Sequence, residues 1–211
     1  TESVNKGGHM PGVKLLSLLV PLADVPVNDR ASILRTTIRK MLEEVGKNND
    51  LKNADLALRA LEANDLGLAG HAWQETVSAT VGTANTYENS AINSITLNDR
   101  ICAIYGVYVA SSWDSVSGLR IEVGARRTHQ WDLQGIITEQ PRRASREERT
   151  LICYQGENGD VDPVIIPAIT SILIQHYVRG ATAVGIQPAE LIFRGLVLER
   201  TGGGGAGLQV Q

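Results

Sequence analysis

At 211 residues, with 43% hydrophobic and 20% charged residues and a formal net charge of −3, the chain is long enough for one main core. It is too evenly charged to sheathe a nucleic acid or to act as an acidic tail, so no sequence-specific nucleic-acid contact is expected. Aromatic residues reach only 4%, with Phe193 the single phenylalanine, so Ile, Val, Leu and Ala must fill the interior, and the β-branched share of these favours strands.

Residues 1–27 read as an extended arm, because Gly7-Gly8, Pro11, Pro21 and Pro26 interrupt every regular pattern. No basic segment leads directly into an apolar core, so the beginning does not read as a secretory signal. The apolar stretch Val13 to Val20 is ended by Pro21 and Asp24, well short of the roughly 20 residues that cross a bilayer, so no transmembrane segment is expected. Leu15, Leu16, Leu18, Leu19 and Val20 nevertheless need cover, either from the domain's own sheet or from an adjacent copy, and are candidate interface residues.

Residues 28–70 read as a helical segment. Asn28 or Asp29 can cap a helix to about Val45, where Leu34, Ile38, Met41, Leu42 and Val45 recur at helical spacing before Gly46. A shorter helix from about Ala54 to Glu62, capped by Asn53 and with Leu58 and Leu61 on one side, would complete a short helical hairpin.

From residue 71 to 200 the texture changes to Thr, Val, Ile, Ser and Gly in short apolar runs broken by turn residues. Strands are predicted at Glu75–Val81, Ala91–Leu97, Ile101–Ala110, Leu119–Ala125, Leu133–Glu139, Arg149–Gln155, Ala168–Val178 and Leu191–Glu199. No helix-length pattern interrupts them, which argues for a mainly β fold, an eight-stranded antiparallel β-sandwich. Residues 201–211, opening Thr201-Gly202-Gly203-Gly204-Gly205, read as a flexible glycine-rich tail. A phosphate cradle would need a helix after those glycines, and only Leu208-Gln209-Val210-Gln211 follow.

Chemistry-bearing patterns are sparse. The 4 histidines, His9, His71, His129 and His176, form no metal-ligating pair, and the 2 cysteines, Cys102 and Cys153, lie in apolar strand-like runs, as buried reduced thiols do. No G-x-S-x-G elbow occurs. Gly156, Gly159, Asp160 and Asp162 could offer oxygens to a hard cation, but acidic hairpin turns share that composition, so no metal and no cofactor is expected. Arg142, Arg143 and Arg146, in the polar run from Pro141 to Arg149, are candidates for intersubunit salt bridges; Glu147 and Glu148 partly neutralise the run. Trp73, Trp113 and Trp131 could line a sugar-binding face or anchor a core.

An arm and helices before eight short strands, charge carried on loops, a glycine-rich tail and no catalytic pattern together resemble a single jelly-roll coat protein of a virus or phage. The resemblance is architectural, covers roughly residues 75–200 and carries no residue motif. It implies a non-enzymatic protein that self-assembles in the host cytoplasm into a virion, with copies of itself and other virion proteins as partners. Terminal arms would tie the subunits and neighbouring copies would protect the sheet edges. Lys6 and Lys14 are the only Lys or Arg of the arm, so a genome-binding arm is not expected. The alternatives are a β-sandwich module, cytoplasmic, that binds a carbohydrate or other ligand, and an enzyme on a β scaffold.

Overall fold

The computed structural model describes residues 18–68, 74–77, 86–96, 98–109, 116–124, 126–132, 150–155, 160–178 and 187–201. Strand β1 (Leu18–Pro21) and a 3-10 turn (Leu22–Asp24) precede helix α1 (Val27–Val45), which is followed by β2 (Leu56–Ala60) and a second 3-10 turn (Ala63–Leu66). Then come β3 (Gln74–Val77), β4 (Thr86–Ile95), β5 (Arg100–Val109), β6 (Val116–Val123), β7 (Arg126–Asp132) and β8 (Thr150–Gln155). The series ends with β9 (Asp160–Val161), β10 (Val164–Ile166), β11 (Ser171–Val178) and β12 (Gln187–Arg200).

These strands make two sheets in which every pairing is antiparallel. The larger runs β1–β8–β5–β12–β2, with β10 beside β5, β9 beside β8 and β3 beside β12; the smaller runs β4–β11–β6–β7. The chain is therefore mainly β with a single α-helix among the described residues.

Three layers result, and the period of two along a strand explains them. In the run Ile101–Ile104, Cys102 and Ile104 join the core between the sheets, meeting Leu119, Ile121, Ile172 and Ile174 of the smaller sheet. Ile101 and Ala103, pointing the other way, join Met41, Val45 and Leu198 beneath α1. All four strand residues have zero exposure, because both faces of β5 are covered. Between Arg194 and Gly195 the β5–β12 register slips by one, leaving Tyr105 as the extra residue of a bulge.

Two expectations need correction. The predicted second helix is instead β2, paired with β12 from Leu56↔Arg200 to Leu196↔Ala60. The three-residue spacing of Leu58 and Leu61 suggested a helix, and Ala and Leu favour one locally, but an open edge of β12 offers backbone partners that outweigh that weak preference. There is thus no helical hairpin. Helix α1 is where it was predicted, yet it opens after Pro26 with no side-chain cap, and Gly46 has φ −58°, so it is not a left-handed stop. Asn48 turns the chain there, its Oδ1 accepting from the Asp50 N–H at 2.8 Å and the Leu51 N–H at 3.3 Å.

Of the predicted arm, Leu18–Pro21 pairs through its backbone with Tyr154–Leu151 of β8 in the same chain. Arg30 fixes the turn that follows, donating from Nη2 to the Ala23 carbonyl at 2.9 Å and from Nε to the Val25 carbonyl at 3.0 Å. Residues 1–17, the predicted strand Leu133–Glu139 and the glycine-rich tail after Thr201 lie outside the described residues.

Candidate functional site

Helix α1 carries two adjacent apolar rows, one buried and one partly exposed among the described residues. Ile33, Thr37, Met41 and Val45, four residues apart, are buried against the larger sheet, with the Thr37 hydroxyl donating to the Ile33 carbonyl at 2.8 Å. In the neighbouring row, Leu34 is 49% and Leu42 51% exposed, with Ile38 between them half-buried. Val27, at the start of the helix, is 76% exposed. Covering the open half of each leucine would be worth about 1 kcal/mol. A shallow groove of about 590 Å³ runs along this face, lined by Arg35, Ile38, Arg39, Leu42 and Glu43.

Leu34 also borders a cleft of about 410 Å³ between the start of α1 and the outer face of β5, β8 and β12. Leu22, Ile33 and Ile152 form its apolar wall; Arg30, Tyr105, Thr150 and Arg194 supply polar groups. Burial pushes the Tyr105 hydroxyl above its ordinary pKa, with the Arg194 guanidinium pulling the other way. Arg194 itself lies 5.9 Å from the centroid of the Tyr108 ring. This mixture can receive an apolar side chain as readily as a small molecule.

On the smaller sheet, Arg120 lies 4.2 Å over the Tyr87 ring, donates to Gln175 Oε1 and sits 3.5 Å from Glu122. Cation, amide, carboxylate and aromatic ring are therefore gathered across β4, β11 and β6. Further along, exposed Ile95 and Ile169 stand near each other, Ile95 paired with Ser171. Ile169 adopts φ +54°, a strained conformation for a β-branched residue. Hydrogen bonds from Thr96 Oγ1 to the Pro167 carbonyl at 2.6 Å and from the Thr170 N–H to Thr96 Oγ1 at 3.0 Å hold that turn.

The buried charges serve the fold. The Asp65 carboxylate, with no exposed side-chain surface, accepts from Arg59 at 2.7 Å through both oxygens, from Arg100 at 2.9 Å and from the Glu62 N–H at 2.9 Å. Burial alone would raise its pKa, but these donors hold it below the ordinary carboxylate value. Glu199 lies 3.0 Å from Arg59 and extends the network to β12. Cys102 and Cys153 are free and fully buried, and burial pushes the Cys102 thiol up to about 12 and that of Cys153 higher still. Asp162, considered for a cation, faces Lys40 Nζ at 3.0 Å. Gly156 and Gly159 are outside the described residues, among which no three His, Cys, Asp or Glu side chains converge.

Of the predicted interface residues, Leu18, Leu19 and Val20 lie on β1, where their backbone pairs with β8. Leu15, Leu16, Arg142, Arg143 and Arg146 are outside the described residues, as are Trp73 and Trp113, while Trp131 falls on β7 opposite Leu119. The outer row of α1 was visible in the sequence as part of one broad apolar stripe; what was missing was which row the sheet would take. No helix of the described residues is long and apolar enough to cross a membrane. Compared with protein-family models and with curated proteins, the chain matches none, so what it does must be argued from the residues themselves.

Proposed function

We propose that this chain is a non-enzymatic, self-assembling structural protein, a coat or other component of a virus or phage particle built on a single jelly roll. The observation that carries the reading is the outer apolar row of α1, on which Val27, Leu34 and Leu42 are exposed. Strand order supports the fold. Read through β3, β12, β5 and β8 in one sheet and β4, β11, β6 and β7 in the other, the chain crosses between the sheets at β3–β4, β4–β5, β5–β6, β7–β8, β8–β11 and β11–β12. Two interlocked Greek keys have that pattern. Its partners would be copies of itself and other virion proteins, met in the host cytoplasm during assembly. Light scattering on a size-exclusion column, followed by negative-stain imaging, tests this: discrete oligomers or particles are expected, and a monomer at the highest soluble concentration would sink it.

A second reading, a carbohydrate-binding β-sandwich, is favoured by the Arg120, Tyr87, Gln175 and Glu122 cluster, whose amide and charged groups suit sugar hydroxyls. On that reading, titration with a glycan panel gives saturable binding that Arg120→Ala removes. Absence of saturable binding to any glycan eliminates it.

A further inference from the structure

We infer that two copies of this chain meet through α1, the outer row of one helix packing antiparallel against the same row of the other. The inference rests on the self-assembly reading and specifies its contact.

The spacing selects a helix as the occupant. Along the outer face, Val27, Ala31, Leu34, Ile38 and Leu42 succeed one another at intervals of four, three, four and four residues, with Val27, Ala31, Leu34 and Leu42 exposed. Ridges at three- and four-residue spacing are what a second helix packs against, and here Val27, Ala31, Leu34 and Leu42 are exposed to receive one. The groove beside Ile38 and Leu42 is the kind of depression into which such ridges fit.

Charge selects the same helix in the opposite direction. Arg35, Arg39 and Glu43 form one row, at intervals of four, along the edge of that face. A parallel copy would keep Arg35 and Glu43 at opposite ends of the contact, out of reach of each other. An antiparallel copy, related by a twofold axis near Ile38 and Arg39, sets Arg35 beside Glu43 of the second copy at both ends, and the contact is self-complementary. The two Arg39 side chains approach at the axis, each 4.0 Å from Glu43 of its own helix. That pair is exposed, 63% and 64%, so it can rearrange on docking. One helix of 19 residues spans only about 28 Å, so the contact is weak alone and gains strength when other faces of the assembly hold the copies together.

The test uses the full chain in sedimentation equilibrium, with circular dichroism to verify that each variant is folded. Leu42→Glu is expected to weaken association roughly a hundredfold, because each change acts twice across the axis. Arg35→Glu is expected to weaken it about tenfold, and Arg35→Glu combined with Glu43→Arg to restore it, a rescue that a merely structural role would not give. Ile38→Cys should oxidise to a covalent dimer, since both native thiols are buried. If the wild type assembles and Leu42→Glu, still folded, assembles equally well, the α1 contact is wrong while self-assembly stands. Rescue absent, or Ile38→Cys giving no covalent dimer in protein that assembles, overturns it as well. A wild type that stays monomeric overturns both.

Discussion

Replacing Asp65 with alanine should lower the unfolding free energy by about 3 kcal/mol, read from the midpoint of urea denaturation. Removing this carboxylate leaves the Arg59 and Arg100 guanidiniums beside one another with only Glu199 and Asp99 to balance them. The figure is taken at the low end for broken buried pairs because Arg59 and Arg100 keep 28% and 15% side-chain exposure, through which water can reach them. The same carboxylate should make the protein acid-labile. It titrates below the ordinary 3.8 in the folded chain, so its contribution is complete above that value and is lost as the pH falls through it toward the folded pKa. Asp65→Asn should flatten that part of the stability profile. An unchanged midpoint for Asp65→Ala at neutral pH would show that the network is dispensable.

The other large effect is expected at Gly195, where β12 passes its neighbours too closely for a side chain. A Cβ there would run into the Ala103 carbonyl oxygen of β5 and lie 2.7 Å from Leu61 Cδ2 and 3.1 Å from Leu61 Cβ. Leu61 could shift, but the carbonyl belongs to the central strand pairing and cannot do so without opening the ladder. Gly195→Ala should therefore destabilise by about 3 kcal/mol or more, and Gly106→Ala, whose Cβ would lie 2.5 Å from the Leu151 carbonyl oxygen, similarly. Gly46→Ala is the contrast: at φ −58°, with its nearest neighbour at 3.5 Å, it should be neutral or stabilising by a few tenths of a kcal/mol. Equal melting behaviour for all three variants would refute the argument.

The sequence revealed what depends on local pattern. The β-rich stretch announced itself through β-branched runs and turn residues, and six of the predicted strands overlap β3, β4, β5, β6, β8 and β11, with a seventh inside β12. Pairing that depends on distant chain was not legible. Leu56–Ala60 has the composition of a helix and becomes a strand only because β12 runs beside it some 140 residues later, the separation at which Arg59 also finds Glu199. β7 was missed because Arg126-Arg127-Thr128-His129-Gln130-Trp131-Asp132 has no apolar alternation to betray it, being paired with β6 alone among the described strands. On α1, helical periodicity located the apolar residues but could not choose between rows one position apart, and that choice leaves Leu34 and Leu42 half exposed while Met41 and Val45 are buried. The ion pairs around Asp65 gave no signal, since Arg59, Asp65, Arg100 and Glu199 are scattered over the chain.

The central place of β12 sets the order in which this protein can be made. Every other strand of the larger sheet precedes β12 in the chain, yet β12 lies between β5 on one side and β2 and β3 on the other. While a ribosome is still elongating, β2 and β3 have no sheet to join, and the inner row of α1 lacks Leu198, one of the residues it packs against. Only after Arg200 leaves the exit tunnel can these pieces close together, through pairings whose partners are far apart in sequence. Folding rates fall with such separation, so refolding on the scale of milliseconds to seconds is expected. Until then the inner row of α1 has only part of its cover, from β5, β8 and β9, and the unfinished chain is the form most in need of a chaperone.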